Sequence, residues 1–199
     1  MSNDAIDSGR RTWIGIACGA GAVGAAAVAV PFVSTFAPSE RAKAAGAAVE
    51  VDISGLKAGE MQTVEWRGKP VWILKRTPEQ LASLKKTDTL VADPKSLRNP
   101  SDLTPEYARN EHRSRKPEIL VAVGICSHLG CSPSAKLEAG AQPSLPDDWQ
   151  GGFFCPCHGS TFDLAGRVYK NKPAPDNLEV PPHMYLSDST LLIGEDKKA

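Results

Sequence analysis

The sequence predicts a mainly β protein with a single apolar helix at its N-terminus. Residues 49–53 and 61–66 alternate between apolar and polar side chains, as half-buried strands do. The apolar run at 70–74 and a closing run at 191–193 indicate further strands. By contrast, residues 12–39 contain no charged side chain, which is typical of a membrane span rather than of a β head.

The apolar segment is long enough to cross a bilayer. At about 1.5 Å per residue, residues 13–36 span a hydrocarbon core of roughly 30 Å. Arg10 and Arg11 precede the span, a twin-arginine pair of the kind that marks bacterial export. We therefore expect residues 1–11 in the cytoplasm, an anchor over 12–36 in the inner membrane, and the rest of the chain in the periplasm. Cleavage as a signal peptide is the alternative, although the residues after the span make a poor cleavage site.

Residues 37–48 are expected to form a flexible tether between the anchor and the head. Alanine in residues 40–48 favours a helix, but Gly46 lowers helix stability by about 1 kcal/mol. A marginal helix and a coil both remain compatible with this composition. The head then occupies residues 49–199, which is enough chain for one domain with its own core.

One segment of the head predicts a short inserted helix. Thr77 is a cap candidate, Pro78 lies in the first turn, and leucines follow at helical spacing, so we expect a helix over 78–86 and a loop through Lys116. Residues 67–69 predict a hairpin turn between two of the strands.

Two short boxes of cysteine and histidine carry the chemistry, and strands at 118–123 and 152–154 lead into them. The boxes are Cys126-Ser127-His128-Leu129-Gly130-Cys131 and Cys155-Pro156-Cys157-His158-Gly159-Ser160. Each supplies one thiolate, one imidazole and one extra cysteine, a set that can hold a two-iron cluster with unlike ligands. A structural zinc site is the alternative because zinc uses the same ligand types, but zinc fingers place a cysteine pair before a histidine pair.

Both boxes resemble those of the Rieske iron–sulfur family, in which C-x-H-x-x-C is followed by C-x-C-H-G-S. The resemblance implies an antiparallel β head of Rieske type, with a small cluster-binding subdomain over about residues 122–178 and one [2Fe-2S] cluster per chain. It also implies a role for each conserved position of the pattern. Cys126 and Cys155 would ligate one iron, His128 and His158 would ligate the other, and Cys131 and Cys157 would form a disulfide.

Two positions near the second box are expected to tune the reduction potential. In high-potential members of the family, a serine and a tyrosine donate hydrogen bonds to sulfur at the positions of Ser160 and Phe162. Ser160 matches, whereas Phe162 has no donor, so we expect a potential below that of tyrosine-bearing relatives. By its place in the second box, His158 is expected to contact the quinol oxygen, and the resemblance implies that reduction makes the ligand histidines hold a proton more tightly.

The resemblance extends along the chain to the Rieske subunits of cytochrome bc complexes. The twin arginines, the anchor, the tether, the inserted helix and the proline-rich stretch Lys172-Pro173-Ala174-Pro175 all fit this group. It implies a subunit of a membrane-embedded, dimeric quinol:cytochrome c oxidoreductase. The implied partners are cytochrome b and a membrane-anchored c-type cytochrome, with ubiquinol as substrate. The alternative is the small Rieske subunit of a periplasmic molybdenum oxidase, such as arsenite oxidase.

The remaining features of the sequence are expected to be structural. With 23 basic and 23 acidic residues the chain has no net charge, so nothing indicates a nucleic-acid partner. His112 is expected at the solvated surface, and both His112 and His183 are expected to be structural. Cys18, within the span, is taken as a small apolar residue. The stretch 136–150 separates the boxes and is expected to be a surface loop.

Overall fold

The computed structural model of the protein describes residues 8–98 and 103–197. Residues 1–7 of the expected cytoplasmic segment, residues 99–102 of the expected loop and the last two residues of the head lie outside the described residues. The chain divides into two compact units, Met1–Ala44 and Ala45–Ala199.

One long helix, α1 (Ser8–Ser34), dominates the first unit. It begins four residues before the start of the predicted span and ends two residues before the end of that span. The helix continues through Pro31 and does not break there. Its side chains are exposed, and the hydroxyls of Ser34 and Thr35 donate back to carbonyls of the last turn. By length and composition α1 could cross a membrane, a test that a signal sequence near an N-terminus also passes.

The expected tether contains a short helix, α2 (Glu40–Ala45). Ser39 caps it, since the Ser39 Oγ accepts from the Ala42 N–H at 3.2 Å. Lys43 and Glu40 form an exposed ion pair at 2.7 Å, which contributes at most about 1 kcal/mol. Of the two conformations that the composition allowed, the structure shows the helix, which ends just before Gly46.

The described part of the second unit contains three antiparallel sheets of three strands each. This confirms the mainly β fold. In sheet order they are β1-β9-β8, β2-β3-β4 and β5-β6-β7. The strands are β1 (Val49–Asp52), β2 (Met61–Trp66), β3 (Lys69–Lys75), β4 (Ile119–Val123), β5 (Ser134–Lys136), β6 (Gly152–Cys155), β7 (Ser160–Asp163), β8 (His183–Tyr185) and β9 (Thr190–Ile193).

The six predicted strands are present, each within one residue of its predicted bounds. Strands β5, β7 and β8 were not predicted, because they contain only three or four residues and lack a clear apolar alternation. The turn between β2 and β3 is a two-residue hairpin in which Arg67 and Gly68 both have positive φ, at 51° and 71°. Lys69, predicted as part of that turn, already pairs with Trp66.

The predicted helix is confirmed as α3 (Pro78–Thr87). Thr77 and Gln80 form a capping box, in which the Thr77 hydroxyl accepts from the Gln80 N–H and the Gln80 side chain accepts from the Thr77 N–H. Leu84 is the buried apolar residue that attaches α3 to the head.

The middle sheet separates two hydrophobic cores. The base core contains Val51, Ile53, Leu56, Trp66, Val71, Ile73, Ile119, Val121, Val123, Leu191 and Ile193. The loop-side core contains Trp72, Leu74, Leu84, Leu120, Ala122, Cys126, Phe153, Cys155, Phe162, Leu164, Ala165, Val168, Ala174 and Leu178. Because successive residues of a strand face opposite sides, Ile73 enters the base core and Leu74 enters the loop-side core. Burial on both faces explains why β3 and β4 are continuous apolar runs.

Candidate metal centre

The two boxes fold into loops of the same construction at the edge of the loop-side core. The first loop follows β4, and the Gly130 N–H donates to the Cys126 carbonyl at 3.1 Å. The second loop joins β6 to β7, and the Gly159 N–H donates to the Cys155 carbonyl at 3.0 Å. Gly130 and Gly159 have φ values of 80° and 75°, a conformation that glycine adopts without strain. Each loop therefore turns back sharply four residues after its first cysteine.

The fold brings the four predicted ligand residues and the two predicted disulfide residues together. The rings of His128 and His158 lie 4.7 Å apart between centroids and are nearly perpendicular. Cys131 and Cys157 form a disulfide that joins the two loops across 26 positions of sequence. All five cysteines lie within the described residues, and Cys18, Cys126 and Cys155 are not disulfide-bonded.

Several atoms of these loops are buried in a way that fits a bound metal group. Cys126 and Cys155 are each only 2% exposed. Burial raises the pKa of the Cys126 thiol, the His128 backbone N–H lowers it, and the neighbouring Cys155 side chain raises it further. The Nδ1 atom of His128 is buried and finds no hydrogen-bond partner among the described residues. Buried polar atoms are rarely left unpartnered, so a metal ligand role accounts for this nitrogen.

Three sulfur atoms also lie within 4.8 Å of one another, those of Cys131, Cys155 and Cys157. Two of the three are joined in the disulfide and so offer no thiolate. This group is therefore not a ligand set by itself. It shows instead that the disulfide lies directly beside the buried Cys155 sulfur, where it can hold both loops around a cluster.

Ser160 and Phe162 both lie on β7 and are completely buried. The Ser160 Oγ accepts from the Ala174 N–H at 3.0 Å, and a hydrogen bond from the Ser160 side chain is the smallest of the influences on the pKa of Cys126, which it lowers. Phe162 packs in the loop-side core with Cys126 and Cys155. A serine donor is thus present at the sulfur of a candidate ligand, whereas the phenyl ring of Phe162 offers no donor.

A proline loop, residues 172–181, lies against the site. Ser127, inside the first box, attaches to it: the Ser127 Oγ donates to the Asp176 carbonyl at 2.6 Å and accepts from the Asp176 N–H at 3.3 Å. Sequence reasoning gave Ser127 no role. Its position between two candidate ligands was the only signal in the sequence.

Sequence reasoning also missed a set of buried charged residues behind the loops. Asp163, at the end of β7, accepts from Arg167 Nε at 2.8 Å and from Thr87 at 3.0 Å. Arg167 also donates to Asp88 at 2.7 Å and to the Leu84 carbonyl at 2.8 Å, so this ion pair fastens α3 to the hairpin that carries the second box. No local pattern in the sequence indicates that these charges are buried.

The two histidines outside the boxes lie apart from this centre. His183 is 1% exposed, and its Nδ1 lies 2.9 Å from the Pro181 carbonyl, as a structural residue. His112, also expected to be structural but fully solvated, is half-buried: its side chain is 22% exposed and its carbonyl accepts from Arg76 at 2.9 Å. In the stretch 136–150, Trp149 is buried and its indole N–H donates to the Lys136 carbonyl at 2.9 Å, which closes that loop.

Comparison with known protein families agrees with the geometry of the site. Residues 107–182 match the model of the Rieske [2Fe-2S] domain. The chain is therefore a Rieske iron–sulfur protein, with a [2Fe-2S] cluster as its cofactor. Residues 1–39 match a second model, described as the ubiquitinol-cytochrome C reductase Fe-S subunit TAT signal.

Similar curated proteins define the family more narrowly. The ubiquinol-cytochrome c reductase iron-sulfur subunit of Allochromatium vinosum is 55% identical over 188 residues, covering 94% of this chain and 89% of that protein. The protein of the same name from Blastochloris viridis is 41% identical over 194 residues, covering 97% of each. The one from Rhodospirillum rubrum is 41% identical over 174 residues, covering 87% and 85%. The chain belongs to the family of ubiquinol-cytochrome c reductase iron-sulfur subunits.

Proposed function

We propose that this chain is the electron-transfer subunit that accepts an electron from ubiquinol and passes it to a c-type cytochrome within a cytochrome bc complex. One observation carries the proposal: two loops from different parts of the sequence bring two buried thiols and two imidazoles to one disulfide-bonded site. Family membership over nearly the whole chain supports the same function. The arsenite oxidase alternative has no comparable observation in its favour.

Cys126 and Cys155 would hold one iron, and His128 and His158 would hold the other, with His128 bound through its buried Nδ1. When bound, the cluster supplies a one-electron centre, and its two thiolates balance the charge of the oxidised core so that its potential lies well above that of an all-cysteine cluster. Ser160 stabilises the sulfur ligands by its hydrogen bond. The Cys131–Cys157 disulfide holds the two loops together and stabilises the head by about 3 kcal/mol.

His158 is the residue we propose to contact the quinol. Its side chain is exposed, whereas that of His128 is partly buried. With Nδ1 directed to iron, the Nε2 atom of an exposed ring remains for a hydrogen bond with a quinol hydroxyl and can hold the proton that leaves it. Leu129, within the first box, is 70% exposed and gives that loop an apolar surface.

The same proposal covers the arrangement of the chain in the membrane. Residues 1–11 remain in the cytoplasm, 12–36 anchor the chain in the bacterial inner membrane, 37–48 form the tether, and 49–199 form the periplasmic head, with its cluster-binding part over about 122–178. The twin-arginine match over 1–39 and the apolar helix α1 support this order. Cytochrome b and a membrane-anchored c-type cytochrome are the partners, in a dimeric complex.

An EPR experiment on the intact complex tests this function. The signal of a mixed nitrogen and sulfur cluster should be present, and an inhibitor that occupies the quinol-oxidising site should change its line shape, because His158 meets that site. An unchanged spectrum at saturating inhibitor would contradict the quinol contact and favour a subunit that only relays electrons. Iron analysis of the same sample excludes or supports a zinc site.

A further inference from the structure

A buried arginine lies behind the centre, in the segment between α3 and β4. Arg113 has 0% of its surface exposed and donates five hydrogen bonds. Burial lowers the pKa of Arg113 only to about 10, so the guanidinium is charged at neutral pH. Nothing in the proposed electron transfer uses this residue, although such a group is costly to bury unless its hydrogen bonds are all well directed.

The partners of Arg113 belong to segments that surround the cluster site. Its Nη1 donates to the carbonyls of Ala165 and Gly166, in the turn after β7, at 3.0 and 3.2 Å. Its Nη2 donates to the Leu178 carbonyl of the proline loop at 2.6 Å. Gly166 has φ of 68°, and a Cβ there would lie 3.1 Å from Nη1, so the turn is shaped to admit the guanidinium. One side chain thus ties the β7 turn to the proline loop.

A second connection reinforces the first. Arg113 Nε donates to the Ser96 Oγ at 2.7 Å, and the Asn177 side-chain amide donates to the same oxygen at 3.0 Å. The side-chain oxygen of Asn177, Oδ1, accepts from the Val168 N–H at 2.9 Å. Ser96 takes a positive φ of 53°, a conformation that a non-glycine residue adopts only at some cost. The proline loop is therefore fixed at two consecutive residues.

The proline loop in turn orients the serine that meets the cluster sulfur. The Ala174 N–H donates to the Ser160 Oγ at 3.0 Å, and Ser160 is completely buried. With one lone pair of the oxygen occupied by Ala174, the hydroxyl hydrogen of Ser160 is free to point at the Cys126 sulfur, its second hydrogen-bond partner. Displacement of Ala174 by a few tenths of an ångström would weaken both hydrogen bonds.

We propose that Arg113 is a positioning residue for the iron–sulfur cluster: by fixing the proline loop against the β7 turn, it keeps the Ala174 N–H and the Ser160 hydroxyl aligned with the ligand sulfur. The inference rests on the ligand set proposed above. As a consequence, the reduction potential should depend on Arg113, a side chain that does not itself contact a proposed ligand. The reason is that hydrogen bonds to sulfur favour the reduced, more negative cluster.

The test is an EPR-monitored redox titration of the full-length, cluster-loaded protein carrying Arg113→Lys. Lysine keeps the charge but cannot reach five acceptors, so the equilibrium constant for reduction should fall by up to about fivefold, the effect of one hydrogen bond, or about 40 mV at 59 mV per tenfold. Arg76→Lys is the matched control, because Arg76 is 2% exposed and donates to His112, Leu164, Ser114 and Pro117, none of them in the proline loop. Its midpoint should stay at the wild-type value.

Further variants separate positioning from charge and from misfolding. Arg113→Met should lower the midpoint as Arg113→Lys does; a fall with Met but none with Lys would overturn the proposal in favour of a simple charge effect. In a Ser160→Ala background, Arg113→Lys should add no further shift. If Arg113→Lys retains too little iron to titrate, Ser96→Ala should give a smaller fall with full iron content, and a wild-type midpoint there would overturn the proposal. Absence of the mixed-ligand EPR signal from the wild-type protein would instead contradict the ligand set.

Discussion

The two faces of the middle sheet support different kinds of core. On the base side, β3 and β4 meet β1 and β9 through aliphatic side chains, Trp66 being the aromatic exception. On the loop side, the same strands meet stacked Trp72 and Phe153 rings, two cysteines and the carbonyls to which three buried arginines donate. The base core is stabilised by apolar burial alone, whereas the loop-side core depends on directed hydrogen bonds, a disulfide and the cofactor. A damaged base core should therefore cost stability, and a damaged loop-side core should also change the cluster.

The largest difference is expected from a proposed ligand on the loop side. Cys155→Ser removes one of two buried thiols, so the protein should lose its cluster almost completely, because a serine hydroxyl is a poor substitute for a thiolate on iron. Iron per chain and the visible absorbance of the purified full-length protein measure this. Cys18→Ser, an exposed cysteine in the first unit, is the control and should keep full iron. Iron retention in Cys155→Ser would refute the ligand role.

A matched pair on β3 compares the two cores directly. Ile73 and Leu74 are isomeric, adjacent and fully buried, but they enter opposite cores. Ile73→Ala and Leu74→Ala should each lower the free energy of unfolding by about 2–5 kcal/mol, measured by denaturant titration. Only Leu74→Ala should also broaden the EPR signal or lower the midpoint potential. Equal spectral changes in both variants would show that the sheet does not separate the cores.

A pH experiment sharpens the comparison on the base side, where β8 begins with His183. Burial lowers the pKa of His183 from 6.5 to about 4, an effect that the hydrogen bond to Pro181 only partly offsets. As the pH falls from 6.5 towards 4, the unfolded chain binds a proton that the native chain does not, so stability decreases by up to roughly 3 kcal/mol.

Unfolding of wild type and His183→Gln at about pH 7 and about pH 4.5 checks this effect. The wild type should lose more stability than the variant between the two conditions, since glutamine does not titrate. Carboxylates common to both proteins cancel in that difference. An identical loss in the two proteins would mean that His183 does not contribute to the acid sensitivity of the head.

The smallest expected effect concerns Phe162, on the loop side. Phe162→Tyr places a hydroxyl in the core that contains both proposed ligand cysteines, where one new hydrogen bond to sulfur of about 1 kcal/mol should raise the midpoint by about 40 mV. A redox titration measures the shift, with Phe153→Tyr on the paired strand β6 as the control that adds a hydroxyl elsewhere in the core. No upward shift in Phe162→Tyr would show that the ring at this position does not set the potential.

Much of the fold was accessible from local patterns in the sequence. The alternation in 61–66 predicted β2 at its observed bounds, and Thr77 with Pro78 predicted the start of α3. The resemblance of the two boxes to the Rieske family implied the disulfide between Cys131 and Cys157, which the structure contains. The strand and the helix were predictable because strand alternation and helix capping each depend on residues within a few positions of one another.

By itself, the sequence determined the cofactor chemistry and the mainly β class, and it predicted an order of anchor, tether and head that stays a prediction. Only the tertiary structure decided which side chains hold the site in place. Arg113 and Leu178 are 65 positions apart, Arg167 and Leu84 are 83 apart, and Ser127 and Asp176 are 49 apart. A buried charge is stable only where the fold brings carbonyl groups from distant parts of the sequence within hydrogen-bond distance of it. No local sequence pattern indicates which carbonyls these are. The same reason left the partial burial of His112 unpredicted, since a charged run was expected to face the solvent.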